Sequence, residues 1–127
     1  MGDNLNIFLN KKILIYGLGK SGLSAFRFLK NKSNTFLYDD FKSSFKKLNV
    51  KKNLISHPDI LKSKFDQIIL SPGIDLNKCK LTRYLKKNYN KIYSDLDVFY
   101  EFYKNDSILL LALMENQQQA NFFMRFF

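Results

Sequence analysis

The fold of this chain is set by residues 12–24, which read KILIYGLGKSGLS. Residues 13–16 form a short apolar run with β-branched and aromatic members, which is typical of a strand covered on both faces. Gly17, Gly19 and Gly22 follow in the G-x-G-x-x-G spacing. In that spacing the first glycine permits a tight turn, the second lets backbone approach a phosphate, and the third lets the next helix pack close to the strand.

A helix is predicted directly after the glycines, over residues 21–30, with Leu23, Phe26 and Leu29 spaced to form one apolar face. The start of such a helix presents unpaired N–H groups and the positive end of the helix dipole to an anion. The motif therefore predicts a nucleotide or another phosphate ligand without identifying it. A glycine turn that binds no ligand is the alternative.

The rest of the chain alternates between short apolar runs and helical patterns. This alternation predicts a single Rossmann-like α/β domain, in which a parallel sheet is flanked by helices and joined by right-handed crossovers. A length of 127 residues fits one domain with a substantial core. The further predicted strands are 35–38, 53–56, 65–70, 92–93 and 108–111, the further helices are 41–49, 80–87 and 94–103, and 57–59 is a predicted turn.

Two polar stretches follow predicted strands and are candidate ligand-binding residues. Asp39 and Asp40 end the second strand about 20 residues after the glycines, where a doubly wound sheet reads a ribose or base. A helix N-cap or a solvated turn is the equal alternative for these acids. A rigid turn is predicted after the strand over 65–70, at Ser71, Pro72 and Gly73. Ser71 would offer a hydroxyl donor to a ligand and Gly73 would let backbone approach it, and the alternative is a β-turn with no ligand.

Charge and composition exclude several classes of function. The formal net charge is +10, yet only three of the 21 basic residues are arginine, and the lysines are scattered, so nucleic-acid binding is not predicted. No apolar run is long enough to span a membrane, and a cytoplasmic location is expected. The single cysteine, Cys79, excludes an internal disulfide, and the single histidine, His57, has no partner for a metal and is interpreted as a loop residue.

Four of these stretches, in this order and spacing, resemble the N-terminal domain of the Mur ligases, and among them the ligases that add D-glutamate in peptidoglycan synthesis. The resemblance covers about residues 11–111 and rests on the glycine motif, the Asp39-Asp40 strand end, the Ser-Pro-Gly-Ile turn at 71–74 and the helix over 94–103. It implies a cytoplasmic, monomeric domain that holds the UDP part of UDP-N-acetylmuramoyl-L-alanine.

The resemblance also implies which residues line the UDP site. Phe41 stands where relatives often carry a basic residue, and its ring would stack on uracil. The implied site residues are Gly17, Gly19, Lys20, Ser21, Gly22, Asp39, Asp40, Phe41, Ser71, Pro72 and Gly73. No catalytic residue and no metal ligand is expected among them, because ATP and Mg²⁺ belong to the central domain of the complete ligases.

Residues after about 111 depart from the family pattern. In the family, the strand that corresponds to residues 108–111 is followed by a phosphate-binding loop. Here the chain continues ALMENQQQANFFMRFF from residue 112. A shifted reading frame, which joins the third base of each codon to the first two bases of the next, explains this departure. From Leu110 onward the codons permit this frame to encode TGTNGKSTTSKLFYEIF, which is the sequence of a phosphate-binding loop followed by a helix. We therefore expect a lead-in over 1–10 and a UDP-binding domain over 11–106. Residues 107–127 are expected to begin the strand of the central domain and to continue as a frameshifted tail, which leaves this chain unable to form the amide bond alone.

Two other functions fit parts of the sequence. The same glycines, with Asp39 as the ribose acid, would suit a separate NAD-type nucleotide-binding or sensor module. A non-enzymatic interaction protein would use the basic surface instead. Binding of UDP-muramoyl-L-alanine, NADH or nucleic acid distinguishes the three hypotheses.

Overall fold

The computed structural model describes residues 7–41 and 51–104 of the chain. They form a four-stranded, entirely parallel sheet in the order β2-β1-β3-β4. The strands are β1 (Lys12–Tyr16), β2 (Asn34–Tyr38), β3 (Gln67–Leu70) and β4 (Ile92–Tyr93). The helices are α1 (Lys20–Leu29), α2 (His57–Lys62), α3 (Thr82–Lys87) and α4 (Asp95–Tyr103), and short 3₁₀ turns span Lys51–Asn53 and Tyr89–Lys91. The predicted Rossmann-like α/β fold is confirmed.

Strand β1 is central because both of its edges are paired. Ile15 lies opposite Leu37 of β2 on one side and opposite Ile69 of β3 on the other. Residues 13–16 are completely buried, as the uninterrupted apolar run predicts for a strand covered on both faces. Alternate side chains of β1 therefore enter two separate cores, one on each face of the sheet.

The two cores belong to two pairs of helices. On one face Ile13 and Ile15 pack with residues of α1 and α4, and on the other Leu14 and Tyr16 pack with residues of α2 and α3. The chain moves from β1 to β2 in one direction and then crosses back over β1 to β3, so the strand order reverses between β1 and β3. In open parallel sheets this reversal opens a crevice at the carboxyl ends of the strands, where ligands bind.

Helix α4 begins as its sequence predicts. The Ser94 side chain accepts the Asp97 N–H at 3.1 Å, and the Asp97 carboxylate accepts the Ser94 N–H at 2.8 Å. This reciprocal capping satisfies two N–H groups that the first turn would leave unpaired. The helix start therefore has a fixed position beside the end of β4.

Two local predictions are wrong. Residues 53–56 do not form a strand: a 3₁₀ turn ends at Asn53, and only Leu54 makes an isolated bridge, to Leu37 at the edge of β2. Residues 57–59 are not a turn, and His57 is not a loop residue but the first residue of α2. Pro58 lies in the first turn, where its missing N–H costs nothing, and Ser56 caps the helix. Residues 42–49 of one predicted helix, the predicted strand 108–111 and the tail lie outside the described residues.

Candidate functional site

The glycine loop at the end of β1 takes a shape that only glycine permits at its first position. Gly17 has a φ of +103°, and a Cβ added there would lie 2.7 Å from both Cβ and Oγ of Ser71. The Gly17 N–H donates to the carbonyl of Tyr38 at 2.8 Å, while the Ser71 hydroxyl donates to the Gly17 carbonyl at 3.1 Å. The turn is thus fixed between β2 and β3 at the point where the strand order reverses.

The other two glycines have different roles. A Cβ on Gly22 would lie only 1.8 Å from the Gly17 carbonyl oxygen, so this position needs glycine for helix and loop to approach each other. A Cβ on Gly19 would meet nothing within 4 Å, and its φ of −76° is open to any residue. The protein itself therefore does not require glycine at position 19, and its small size leaves backbone accessible to a ligand.

The start of α1 has the features of an anion site. Its first turn contains no acidic residue, and Lys20 is exposed there. Among the described residues, the Ser21 Oγ is a buried oxygen with no hydrogen-bond partner. The first N–H groups of a helix lack intrahelical acceptors and lie at the positive end of the dipole. Gly19, Lys20 and Ser21 are consecutive, so these groups belong to one turn of backbone at the end of the glycine loop.

Asp39 is buried beside the glycine loop. One carboxylate oxygen, Oδ2, accepts the Leu18 N–H at 2.8 Å, and the other, Oδ1, accepts the Phe41 N–H at 3.0 Å. Only 7% of Asp39 is exposed, so a charged group is buried here and is stabilised by two backbone donors. The acid at the end of β2 thus connects that strand to the glycine loop.

Asp40 faces the opposite side of the sheet. Its Oδ1 accepts the hydroxyl of the fully buried Tyr16 at 2.5 Å, and its Oδ2 accepts the Lys80 N–H at 3.3 Å. The Lys80 ammonium also donates to the Asp40 carbonyl at 3.1 Å. Burial, reinforced by the hydrogen bond to Asp40 and by nearby Cys79, raises the pKa of Tyr16 well above its ordinary value of 10. The phenol therefore remains a neutral donor at physiological pH.

The turn after β3 forms the other edge of the site. It is closed by the Ile74 N–H, which donates to the Ser71 carbonyl at 3.0 Å, while the Ser71 N–H donates to the Tyr16 carbonyl at 3.0 Å. Pro72 and Gly73 are exposed, and a Cβ on Gly73 would meet nothing within 4 Å. A cavity of about 350 Å³ separates this turn from Tyr89, Tyr93 and the start of α4.

The structure brings most of the predicted site residues to one edge of the sheet. Hydrogen bonds connect the glycine loop to Asp39 and to Ser71, and Asp40 is bonded to Tyr16, the residue before the loop. Lys20 and Ser21 follow in the first turn of α1. Phe41 projects its ring into solvent with 68% of the residue exposed. The hydrogen bonds of Asp39 and Asp40 are made to the protein itself, and whether these residues contact a ligand stays a prediction.

Sequence reasoning missed Tyr16 and Lys80. The available signal was a tyrosine at the last position of an otherwise aliphatic buried strand, because a buried phenol needs a hydrogen-bond partner. Within residues 7–41 and 51–104 no three potential metal-ligating side chains come together. No helix in the described ranges is long and apolar enough to cross a membrane.

Comparisons with known proteins agree on one family. The sequence model described as "Mur ligase MurD-like, N-terminal domain" matches residues 11–92. The chain is 35% identical over 113 residues to the UDP-N-acetylmuramoylalanine–D-glutamate ligase of Rickettsia bellii, covering 86% of this chain and 24% of that protein. It is 36% identical over 104 residues to the ligase of the same name from Rickettsia prowazekii, covering 80% and 23%. The chain thus spans about a quarter of the length of these relatives, and no solved structure matches it.

Proposed function

This chain belongs to the Mur ligase family as a MurD-like N-terminal domain, and we propose that it holds the UDP part of UDP-N-acetylmuramoyl-L-alanine in the ligase that adds D-glutamate. The observation that carries the proposal is the start of α1, where three consecutive residues offer donors: Gly19 and Lys20 are exposed, and the Ser21 hydroxyl has no hydrogen-bond partner. A diphosphate supplies the negative oxygens that these donors lack.

The nucleoside would lie between the end of β2 and the turn after β3. Phe41 follows Asp40 directly and is mostly exposed, so its ring is accessible for stacking on uracil. The end of β2, at Asp40 and Phe41, would form one wall of this space, and residues 71–73 would form the wall on the β3 side. The two walls flank the end of β1, beside the strand reversal between β1 and β3, which supports binding of a nucleotide there.

The complete reaction would need more than this domain. We propose that ATP and Mg²⁺ act in a central domain, that the ligase works in the cytoplasm, and that the present chain does not form the amide bond alone. The tail after about residue 111 would be an out-of-frame reading of the phosphate loop that follows this domain in the family. Resequencing the gene from the codon of Asp106 through the tail tests this, because a confirmed frame with no continuing second frame would refute it.

Titration of the purified 127-residue chain with UDP-N-acetylmuramoyl-L-alanine, UDP and NADH, followed by NMR, tests the proposed ligand. We expect the two uridine compounds to bind competitively. Lys20→Ala and Ser21→Val should each weaken binding about tenfold, since a hydrogen bond to a charged group contributes about 1.5–3 kcal/mol. Lys30→Ala is the matched control, because Lys30 is exposed at the other end of the same helix. Tighter binding of NADH than of either uridine compound would contradict the proposal.

A further inference from the structure

The buried carboxylate of Asp39 has a position that direct contact with a ligand does not explain. Each of its oxygens already accepts a backbone N–H, one from Leu18 in the glycine loop and one from Phe41 at the end of β2. The bond to Leu18 is 2.8 Å long, joins residues 21 positions apart and is buried. An acid that read ribose hydroxyls would direct exposed oxygens toward the crevice, whereas Asp39 is only 7% exposed.

The bond to Leu18 completes a set of three that holds the loop. The Gly17 N–H donates to the Tyr38 carbonyl, the Gly17 carbonyl accepts the Ser71 hydroxyl, and the Leu18 N–H donates to Asp39. Two of the three come from consecutive residues at the end of β2. Removal of the carboxylate would free the segment between Gly17 and the start of α1, which is the segment that carries the anion-binding N–H groups.

We propose that Asp39 is a positioning residue, whose carboxylate holds the Leu18 amide so that the first turn of α1 faces the diphosphate, and that it does not itself contact the nucleoside. This inference rests on the proposed function for the identity of the ligand. It also explains how an acid can lie beside a phosphate site, because its charge is directed under the loop and is taken up by two N–H donors.

The test uses Asp39→Ala and Asp39→Asn in the full chain, with Asp66→Ala as a matched control. Asp66 accepts the Lys12 N–H at 2.8 Å, which is the same kind of bond at the opposite end of β1. Hydrogen exchange of the Leu18 amide and NMR titrations with UDP and with uridine are the readouts. The exchange readout needs no ligand, and the comparison of UDP with uridine separates a loss at the diphosphate from a loss at the nucleoside.

We expect Asp39→Ala to speed exchange of the Leu18 amide at least tenfold and to weaken UDP about tenfold, while uridine affinity changes less than twofold. Asp39→Asn, which keeps one oxygen acceptor and protects the fold, should lie between Asp39→Ala and the unmodified chain. Asp66→Ala should leave Leu18 exchange and the UDP-to-uridine affinity ratio unchanged. Equal weakening of UDP and uridine, or unchanged Leu18 exchange, would overturn the role of Asp39. If the unmodified chain binds neither UDP nor uridine, the proposed function is wrong and Asp39 positions no ligand. Faster Leu18 exchange in Asp39→Ala would then still show that Asp39 holds the loop.

Discussion

Replacing Gly22 with alanine tests the close approach of α1 to the glycine loop. The added Cβ would lie 1.8 Å from the Gly17 carbonyl oxygen, whereas real Cβ atoms essentially never come within 3.0 Å of a neighbour. The oxygen cannot move freely, because it accepts the Ser71 hydroxyl. Relief therefore requires α1 to move away from β1 by more than about 1 Å, which loosens the packing of its buried residues Phe26 and Leu29.

The expected loss of folding stability in Gly22→Ala is the difference between two opposing effects. Overpacking an ordered interior costs about 1–3 kcal/mol, and a clash between backbone atoms lies at the upper end of that range. Alanine recovers about 1 kcal/mol through its higher helix propensity. Gly22→Ala should therefore lower the free energy of unfolding by about 2 kcal/mol or more, and the melting temperature by about 8 °C or more for a domain of this size.

Urea unfolding followed by circular dichroism measures this loss, and Gly19→Ala is the matched control. A Cβ on Gly19 meets nothing within 4 Å, so this variant should lose less than about 1 kcal/mol, as expected for a weaker N-cap. Its main effect should be weaker binding of UDP, because the new methyl group would occupy open space beside the proposed diphosphate site. Equal stability of the two variants would refute the packing role of Gly22, and unchanged UDP affinity of Gly19→Ala would refute the proposed role of Gly19 in binding.

Three further measurements address the hydrogen bonds around the site. Tyr16→Phe should lower the free energy of unfolding by about 1–2 kcal/mol, because Asp40 loses a buried donor, whereas Tyr89→Phe at an exposed ring should change it by less than about 0.5 kcal/mol in urea titrations. The folded-state pKa of Tyr16 is raised, so its contribution to stability is complete below the ordinary tyrosine pKa of 10 and is lost as the pH rises above it. In urea titrations between pH 8 and 11, the free energy of unfolding should fall above about pH 10, and it should fall less steeply in Tyr16→Phe than in the unmodified chain. An equal dependence on pH in the two proteins would contradict this. Ser94→Ala should cost about 1 kcal/mol through loss of the helix cap, with Ser24→Ala on an exposed helix face as the near-neutral control, and thermal unfolding compares the two.

The part of the fold that the sequence predicts best is also the most local. The apolar run over 13–16, the three glycines and the following helix lie within about 20 residues, and each has a pattern that directly favours its structure. The Ser94 cap was predictable for the same reason, since both partners lie within one helical turn.

Local patterns were misleading where a neighbour decides the structure. Pro58 favoured a turn, but a proline in the first turn is equally compatible with a helix, and burial of Ile60 against the sheet selects the helix. Residues 53–56 have apolar members that suit a strand, yet only Leu54 is aligned with the edge of β2. The hydrogen-bond partners of Asp40 lie 24 and 40 residues away, and no spacing rule in the sequence connects them.

The hydrogen bond from Tyr16 to Asp40 makes the rim of the crevice part of the cooperative core. Strand ends usually open locally, at a small fraction of the free energy of global unfolding. Here the last carboxylate of the β2 end is attached to a phenol whose ring is completely buried, and Lys80 attaches the same residue to the segment before α3. Local opening of this rim would leave a phenolic hydroxyl buried without an acceptor. The Gly17 amide, which donates to the Tyr38 carbonyl at this end of β2, should therefore exchange with solvent as slowly as the amides of the core.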